Sequence, residues 1–154
     1  MAARPANDAM TDCAPGAKVR RLRVRDQHQA HGLAVVDLFA GAGGISEGFR
    51  QAGFCVLAGS DNDPDATSTY AVNFPGARVI TGDIRSDAIK EQILDAAIHA
   101  DVLVGGPPCQ AFSQARNHVR VIDDPRNSLY REFIAVLRKT LPMSFLVENV
   151  TGLD

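Results

Sequence analysis

From Leu33 onward the chain alternates short apolar runs with longer mixed stretches. The runs Ala34–Leu38, Cys55–Ser60, Ala77–Thr81, Asp101–Gly105 and Ser144–Glu148 predict five strands. Their cores (AVVDL, CVLAG, ARVIT, DVLVG, SFLVE) are apolar at consecutive positions, the pattern of parallel strands covered on both faces. The stretches Gly43–Ala52, Pro64–Phe74, Ser86–Ala100 and Pro125–Leu141 predict helices. Strict strand–helix alternation predicts an α/β fold, a doubly wound and mostly parallel sheet with right-handed crossovers. The last strand has only six residues after it, which predicts an edge.

Residues 1–32 lack this pattern. They are rich in Ala, Arg, Asp and Gln and are expected to form a disordered basic arm, leaving 33–154 as the folded domain. Six basic residues stand against three acidic ones in 1–31, whereas the body carries 10 basic and 15 acidic residues. A net charge of −2 argues against a self-sufficient nucleic-acid binder. No apolar run reaches the ~18 residues of a membrane span, and no apolar stretch near the start makes a secretory signal. Cys13, Cys55 and Cys109 are too few and too far apart for a disulfide scaffold or a CxxC metal site, so a reducing compartment is expected.

Two groups of residues carry candidate chemistry. In the first, Gly41, Gly43 and Gly44 follow the first strand and open a helix. Glycines there permit a tight turn and close approach of a ligand to free helix N–H groups. Ser46 stands where a dinucleotide fingerprint needs its third glycine, which disfavours a pyrophosphate cofactor. Asp61 ends the second strand 20 residues after Gly41, a position suited to ribose hydroxyls. Asp83 ends the third strand and is suited to an adenine amino group, with Phe39 and Ile84 as apolar faces. Each carboxylate taken alone reads as a helix N-cap rather than a ligand contact; together, beside a glycine turn, they point to a nucleoside cofactor without phosphates.

In the second group, Gly105-Gly106-Pro107-Pro108 presents Cys109 in a rigid turn at the end of the fourth strand. That is where a nucleophile belongs. Glu148 ends the neighbouring strand as a candidate acid. Gln114 to Asp124, with Arg116 and Arg120, reads as a lid over phosphates or as an ordinary polar loop.

The blocks DLFAGAGG, SDND, GDI, GGPPCQAFS, DDPRNSL and ENV, in this order, resemble the cytosine-C5 DNA methyltransferase family over roughly residues 35–153. The resemblance implies a Rossmann-like methyltransferase fold, incomplete at its C-terminus, and S-adenosyl-L-methionine as cofactor. Phe39, Gly41, Gly43, Asp61, Asp83, Ile84, Asn127 and Leu129 would form the cofactor site. Asp61 stands where the family usually has glutamate, and Asn62 where many members have a large apolar residue. Cys109 would be the nucleophile that adds to cytosine C6, and Glu148 the acid at N3. Gln110, Ser113, Arg116 and Arg120 would face the substrate, double-stranded DNA whose target base is flipped out. No metal is implied. A cytoplasmic, nucleoid-associated protein is expected.

The family's QxRxR block and target-recognition domain do not follow Glu148. The chain is therefore expected to be a fragment, or one subunit of a split enzyme whose second chain carries those parts. An inactive remnant that only binds S-adenosylmethionine is the alternative, as is a tRNA cytosine-C5 methyltransferase.

Overall fold

A computed structural model describes residues 32–108 and 128–148. The expected basic arm, Cys109, Gln110, Ser113, Arg116, Arg120 and Asn127 lie outside the described residues. The elements run β1 (Ala34–Leu38), α1 (Gly44–Gln51), β2 (Cys55–Asp61), α2 (Pro64–Asn73), β3 (Arg78–Thr81), α3 (Asp87–Ala97), β4 (Val102–Gly105), α4 (Ser128–Thr140) and β5 (Ser144–Val147). Each expected element is present, with ends within three residues of those read from the sequence.

The five strands form one parallel sheet in the order β3-β2-β1-β4-β5. The chain builds outward from β1 to β3, then crosses back to β4 on the other side of β1. The connections after β1 and β4 therefore diverge, and they open a crevice at the carboxyl ends of those strands.

Alternate side chains of the central strands bury two cores. Val36, Leu38, Ala58, Ile80 and Leu103 pack with Ile93 and Ala97 of α3 and Phe133 and Val136 of α4. Val35, Val56, Val102 and Val104 pack on the other face with Tyr70 and Phe74 of α2, flanked by Ile45 and Phe49 of α1. The continuous apolar runs thus follow from burial on both faces, as expected.

The fifth strand departs from that expectation. Phe145 and Leu146 are 55% and 43% exposed, with Leu141 and Met143 beside them also exposed. The reason is position: β5 is paired only with β4, while α1 and α2 pack over β1, β2 and β3. Cys55 departs from the expectation of reduced cysteines. It is half-buried and disulfide-bonded, at the amino end of β2, far from the crevice. No helix among the described residues is long and apolar enough to cross a membrane.

The β1–β4 seam leaves no room for a side chain at Gly105. A Cβ built there collides with the backbone carbonyl of Leu38, which cannot move without breaking the strand pairing. Gly105→Ala is expected to destabilise the fold by about 1–3 kcal/mol, the range of overpacking in a close-packed core. A urea titration reads this directly, and an unchanged midpoint would show that the seam yields freely.

Candidate active site

The crevice holds a cavity of about 400 Å³, lined by Phe39, Ser60, Asp61, Asn62, Gly82, Asp83, Ile84, Arg85, Gly106, Pro108 and Leu129. This lies within the ~300–1,000 Å³ usual for small-molecule sites. Backbone bonds stitch its floor. Ala40 N–H donates to the Ser60 carbonyl at 3.0 Å, and Gly82 N–H to the Asp61 carbonyl at 2.9 Å. The ends of β1, β2 and β3 are thereby held in one frame.

Phe39 leaves β1 with φ +60°, in the left-handed region that a bulky residue enters only at a cost of about 1–3 kcal/mol. Gly41 follows with φ +54°. The turn brings Gly41 N–H to Asp61 Oδ2 at 2.8 Å, while Asp63 N–H donates to Oδ1 at 3.0 Å. Asp61 is therefore oriented by two amides, one on each oxygen. An ionised carboxylate has about four acceptor positions, so each oxygen keeps one for a ligand.

Neither Asp61 nor Asp83 is a helix cap. Asp63 caps α2, accepting from Asp65 N–H and Ala66 N–H, with Pro64 at the first helical position. Ser86 occupies the N-cap of α3. Asp83 is instead gripped by Arg85. The Arg85 amide donates to Oδ1 at 2.9 Å, its Nε lies 3.0 Å from both oxygens, and its Nη2 is 2.5 Å from Oδ2. The guanidinium, and then the amide, hold the Asp83 carboxyl down at about pKa 2.

Behind the crevice lies a buried polar cluster that the sequence reading missed. Asp37 is wholly buried in β1. Its Oδ2 accepts from the Ser46 amide at 3.1 Å and the Ser46 hydroxyl at 2.7 Å. The Ser46 hydroxyl is committed as a donor to Asp37, so the Tyr70 hydroxyl, 2.8 Å away, donates to Ser46. Burial raises the Tyr70 pKa and keeps the hydroxyl protonated. Ser46 is the third residue of α1, and Gly43 at its N-cap has no side chain to offer. Asp37 thus caps α1 from the neighbouring strand. The visible signal was a lone acid inside the run AVVDL.

Gly43 stands at the N-cap of α1. It does not line the cavity. Its φ is +99°, and a Cβ there would strike the Phe74 ring. Gly41 likewise stays off the cavity wall and acts through Asp61. Phe39, Asp61, Asp83, Ile84 and Leu129 do meet in one cavity, joined by Arg85, which the sequence reading did not single out.

At the other end of the cavity, Gly106 and Pro108 form wall and lead into Cys109. Glu148 N–H donates to the Gly105 carbonyl at 3.0 Å. The Glu148 carboxylate reaches over the turn, with Oε2 only 3.1 Å from where a Gly106 Cβ would stand. The glycine is what lets the carboxylate sit against the turn.

The profile of C-5 cytosine-specific DNA methylases matches residues 33–154. The chain belongs to the C-5 cytosine-specific DNA methylase family. The chain is 42% identical over 123 residues to the Type II methyltransferase M.AquIA of Picosynechococcus sp., covering 77% of this chain and 49% of that protein. It is 43% identical over 124 residues to M1.HphI of Haemophilus parahaemolyticus, covering 79% and 33%. Among solved structures, a putative DNA modification methyltransferase encoded within an E. coli prophage superposes with TM-score 0.64 at 37% identity, covering 79% of this chain and 33% of that one. A Spodoptera frugiperda DNMT2 variant, at 24% identity and TM-score 0.54, shares the fold. This methylase chain thus spans half or less of the length of these relatives.

Burial raises the Asp37 pKa to about 6, with the Asp61 charge adding to the rise and the Ser46 hydrogen bonds opposing it. The folded state then holds a proton that the unfolded chain has lost from pH 4 upward. Stability contributed by Asp37 falls as pH rises from about 4 to 6 and stays down above that. Asp37→Asn removes this titration. Its unfolding free energy relative to the parent is expected to gain about 2 kcal/mol between pH 4 and 7. Urea titrations at pH 4, 5, 6 and 7 measure the difference; a flat difference would mean that burial leaves the Asp37 pKa at its unfolded value.

Proposed function

We propose that this chain supplies the cofactor site and the nucleophile of a DNA (cytosine-5) methyltransferase that uses S-adenosyl-L-methionine. The observation that carries the reading is the shared wall. One cavity holds two strand-end acids and apolar residues at one end. At the other it runs into the Gly106–Pro108 turn under Glu148.

The donor set fits the cofactor. Asp61 has one free acceptor position on each oxygen, which suits the paired hydroxyls of a ribose. Asp83 suits an exocyclic amino group, and Phe39, Ile84 and Leu129 give the base and sugar apolar contact. Asn127, next to the start of α4, belongs to the same proposed site, as do Gly41 and Gly43 through the turn they form. S-Adenosyl-L-methionine, when bound, supplies the electrophilic methyl group that C5 takes up.

The remaining chemistry falls to the chain. Cytosine C5 is a poor nucleophile, and a stacked base cannot be reached. The Cys109 thiolate attacks C6 of the flipped base while Glu148 delivers a proton to N3. The C5–C6 double bond opens and C5 becomes an enamine carbon. After C5 is alkylated, loss of its proton re-forms the double bond and expels the thiolate, and N3 returns its proton to Glu148. Gln110, Ser113, Arg116 and Arg120 lie on the segment that would meet the base and its phosphates.

The acidic body brings no attractive field for DNA. The DNA-reading surface is therefore assigned to polypeptide outside 33–154, in the same chain or a second one. β5, with Phe145 and Leu146 exposed, is where it would join the sheet.

Calorimetric titration of the chain with S-adenosyl-L-homocysteine tests the cofactor site. Asp61→Ala is expected to weaken binding by about 10- to 100-fold, as removal of charge-assisted hydrogen bonds does. Unchanged affinity would remove Asp61 from the site. In the complex completed by the DNA-reading part, Cys109→Ser is expected to abolish covalent trapping on DNA bearing 5-fluorocytosine, read on a denaturing gel, while leaving S-adenosyl-L-homocysteine affinity within about two-fold, since a thiol-to-hydroxyl change is small. Trapping that survives would sink the nucleophile assignment.

A further inference from the structure

We infer that Cys13 closes the disulfide at Cys55, strapping the basic N-terminal segment to the amino ends of the sheet and leaving Cys109 without a partner in the chain. The cysteines are three: Cys13, Cys55 and Cys109. Cys55 is disulfide-bonded, so its partner within the chain is Cys13 or Cys109. The sheet decides between them. Cys55 is the first residue of β2 and pairs with Ala34, the first residue of β1. Asp61 ends the seven-residue β2 and shares the cavity wall with Gly106 and Pro108. At ~3.3 Å per residue, the two ends of β2 stand about 20 Å apart. Cys109 follows Pro108 directly, and neighbouring Cα atoms are ~3.8 Å apart. A disulfide needs its two Cα atoms within about 7 Å. A cysteine next to the cavity wall cannot meet Cys55 without taking the sheet apart.

Cys13 meets no such barrier. Its segment enters the sheet at Leu33, whose carbonyl accepts from the Cys55 amide at 2.8 Å. The chain from Cys13 to Leu33 therefore has only to close on itself, and a flexible loop of that length closes at modest entropic cost. Both of its ends are then pinned at the amino ends of the strands, opposite the crevice. Lys18, Arg20, Arg21, Arg23 and Arg25 all lie on this loop. Their charge is anchored beside an acidic body, which attracts it. Reduction leaves the same residues tied at Leu33 alone. The bond forms by exchange with a low-molecular-weight disulfide such as oxidised glutathione. The Cys13 and Cys55 thiols give up two electrons and two protons, and the small disulfide leaves as two thiols. The inference does not depend on the cofactor reading; it adds that the candidate nucleophile is the one cysteine kept out of the cross-link.

Peptide mapping tests it. The full 154-residue chain is equilibrated with oxidised glutathione, blocked with N-ethylmaleimide in urea and digested with trypsin. Cleavage after Lys18, Arg50, Arg78, Lys90 and Arg116 puts each cysteine on its own peptide. Mass spectrometry is expected to find the peptide ending at Lys18 joined to peptide 51–78, the pair separating on reduction. Peptide 91–116, which carries Cys109, is expected outside every cross-link between peptides. Cys13→Ser is expected to abolish the cross-link, and Cys109→Ser to leave it in full yield. Peptide 51–78 joined to 91–116 overturns the inference, because Cys109 is then the partner. A cross-link found only in covalent dimers on a non-reducing gel overturns it, because the strap must lie within one chain. Absence of any joined peptide, or a cross-link to peptide 51–78 that survives Cys13→Ser, overturns it as well.

Discussion

The carboxylate of Asp37 is the point on which the arrangement turns. It is a charge in the middle of a sheet, and burying one is costly unless donors surround it. The donors come from two other elements, the Ser46 amide and hydroxyl on α1 and, through Ser46, the Tyr70 hydroxyl on α2. Oδ1 receives none. The burial cost is therefore only partly offset, and the raised pKa is its expression. In return, the amino end of α1 is fixed against β1. That fixes the length and path of the turn between them, which carries Phe39 and Gly41 into the crevice.

The same turn explains why two glycines and a strained phenylalanine stand together. Gly43 must lack a side chain because Phe74 and Tyr70 press against it. Tyr70 must be there because it completes the Asp37 cluster, and its ring also closes over Gly59. Gly41 then reaches a positive φ that lets its amide face Asp61. Core packing on one face of the sheet thus sets the aim of a carboxylate in the crevice. The strain at Phe39 is held by contacts on either side of it, with Ala40 bonded across to Ser60.

The architecture was legible because burial on both faces writes itself as consecutive apolar residues, and because strand and helix segments differ in length. Asp61 and Asp83 were legible from their places at strand ends. The rest depended on contacts distant in sequence. Asp37 meets Ser46 and Tyr70, 9 and 33 residues away, and a lone acid in an apolar run says nothing of such partners. Gly43 presses against Phe74, and in sequence a glycine for packing and a glycine for ligand approach look alike. Arg85 was passed over because an arginine two residues from an aspartate is common on any surface; only its four contacts set it apart. SFLV in β5 has the composition of a buried strand, and its exposure follows from being last in the sheet order.

The two ends of the cavity are coupled by the seam between β4 and β1. Gly105 has no side chain because the Leu38 carbonyl lies too close, whereas a Cβ at Gly106 would meet only the flexible end of the Glu148 side chain. Gly105 draws β4 tight against the strand that carries the cofactor turn. A side chain there would push the two halves of the proposed chemistry apart, without altering any acid, amide or thiol in the site. Spacing between the two halves is therefore set at the seam by what is missing from Gly105, where β4 meets β1 backbone to backbone.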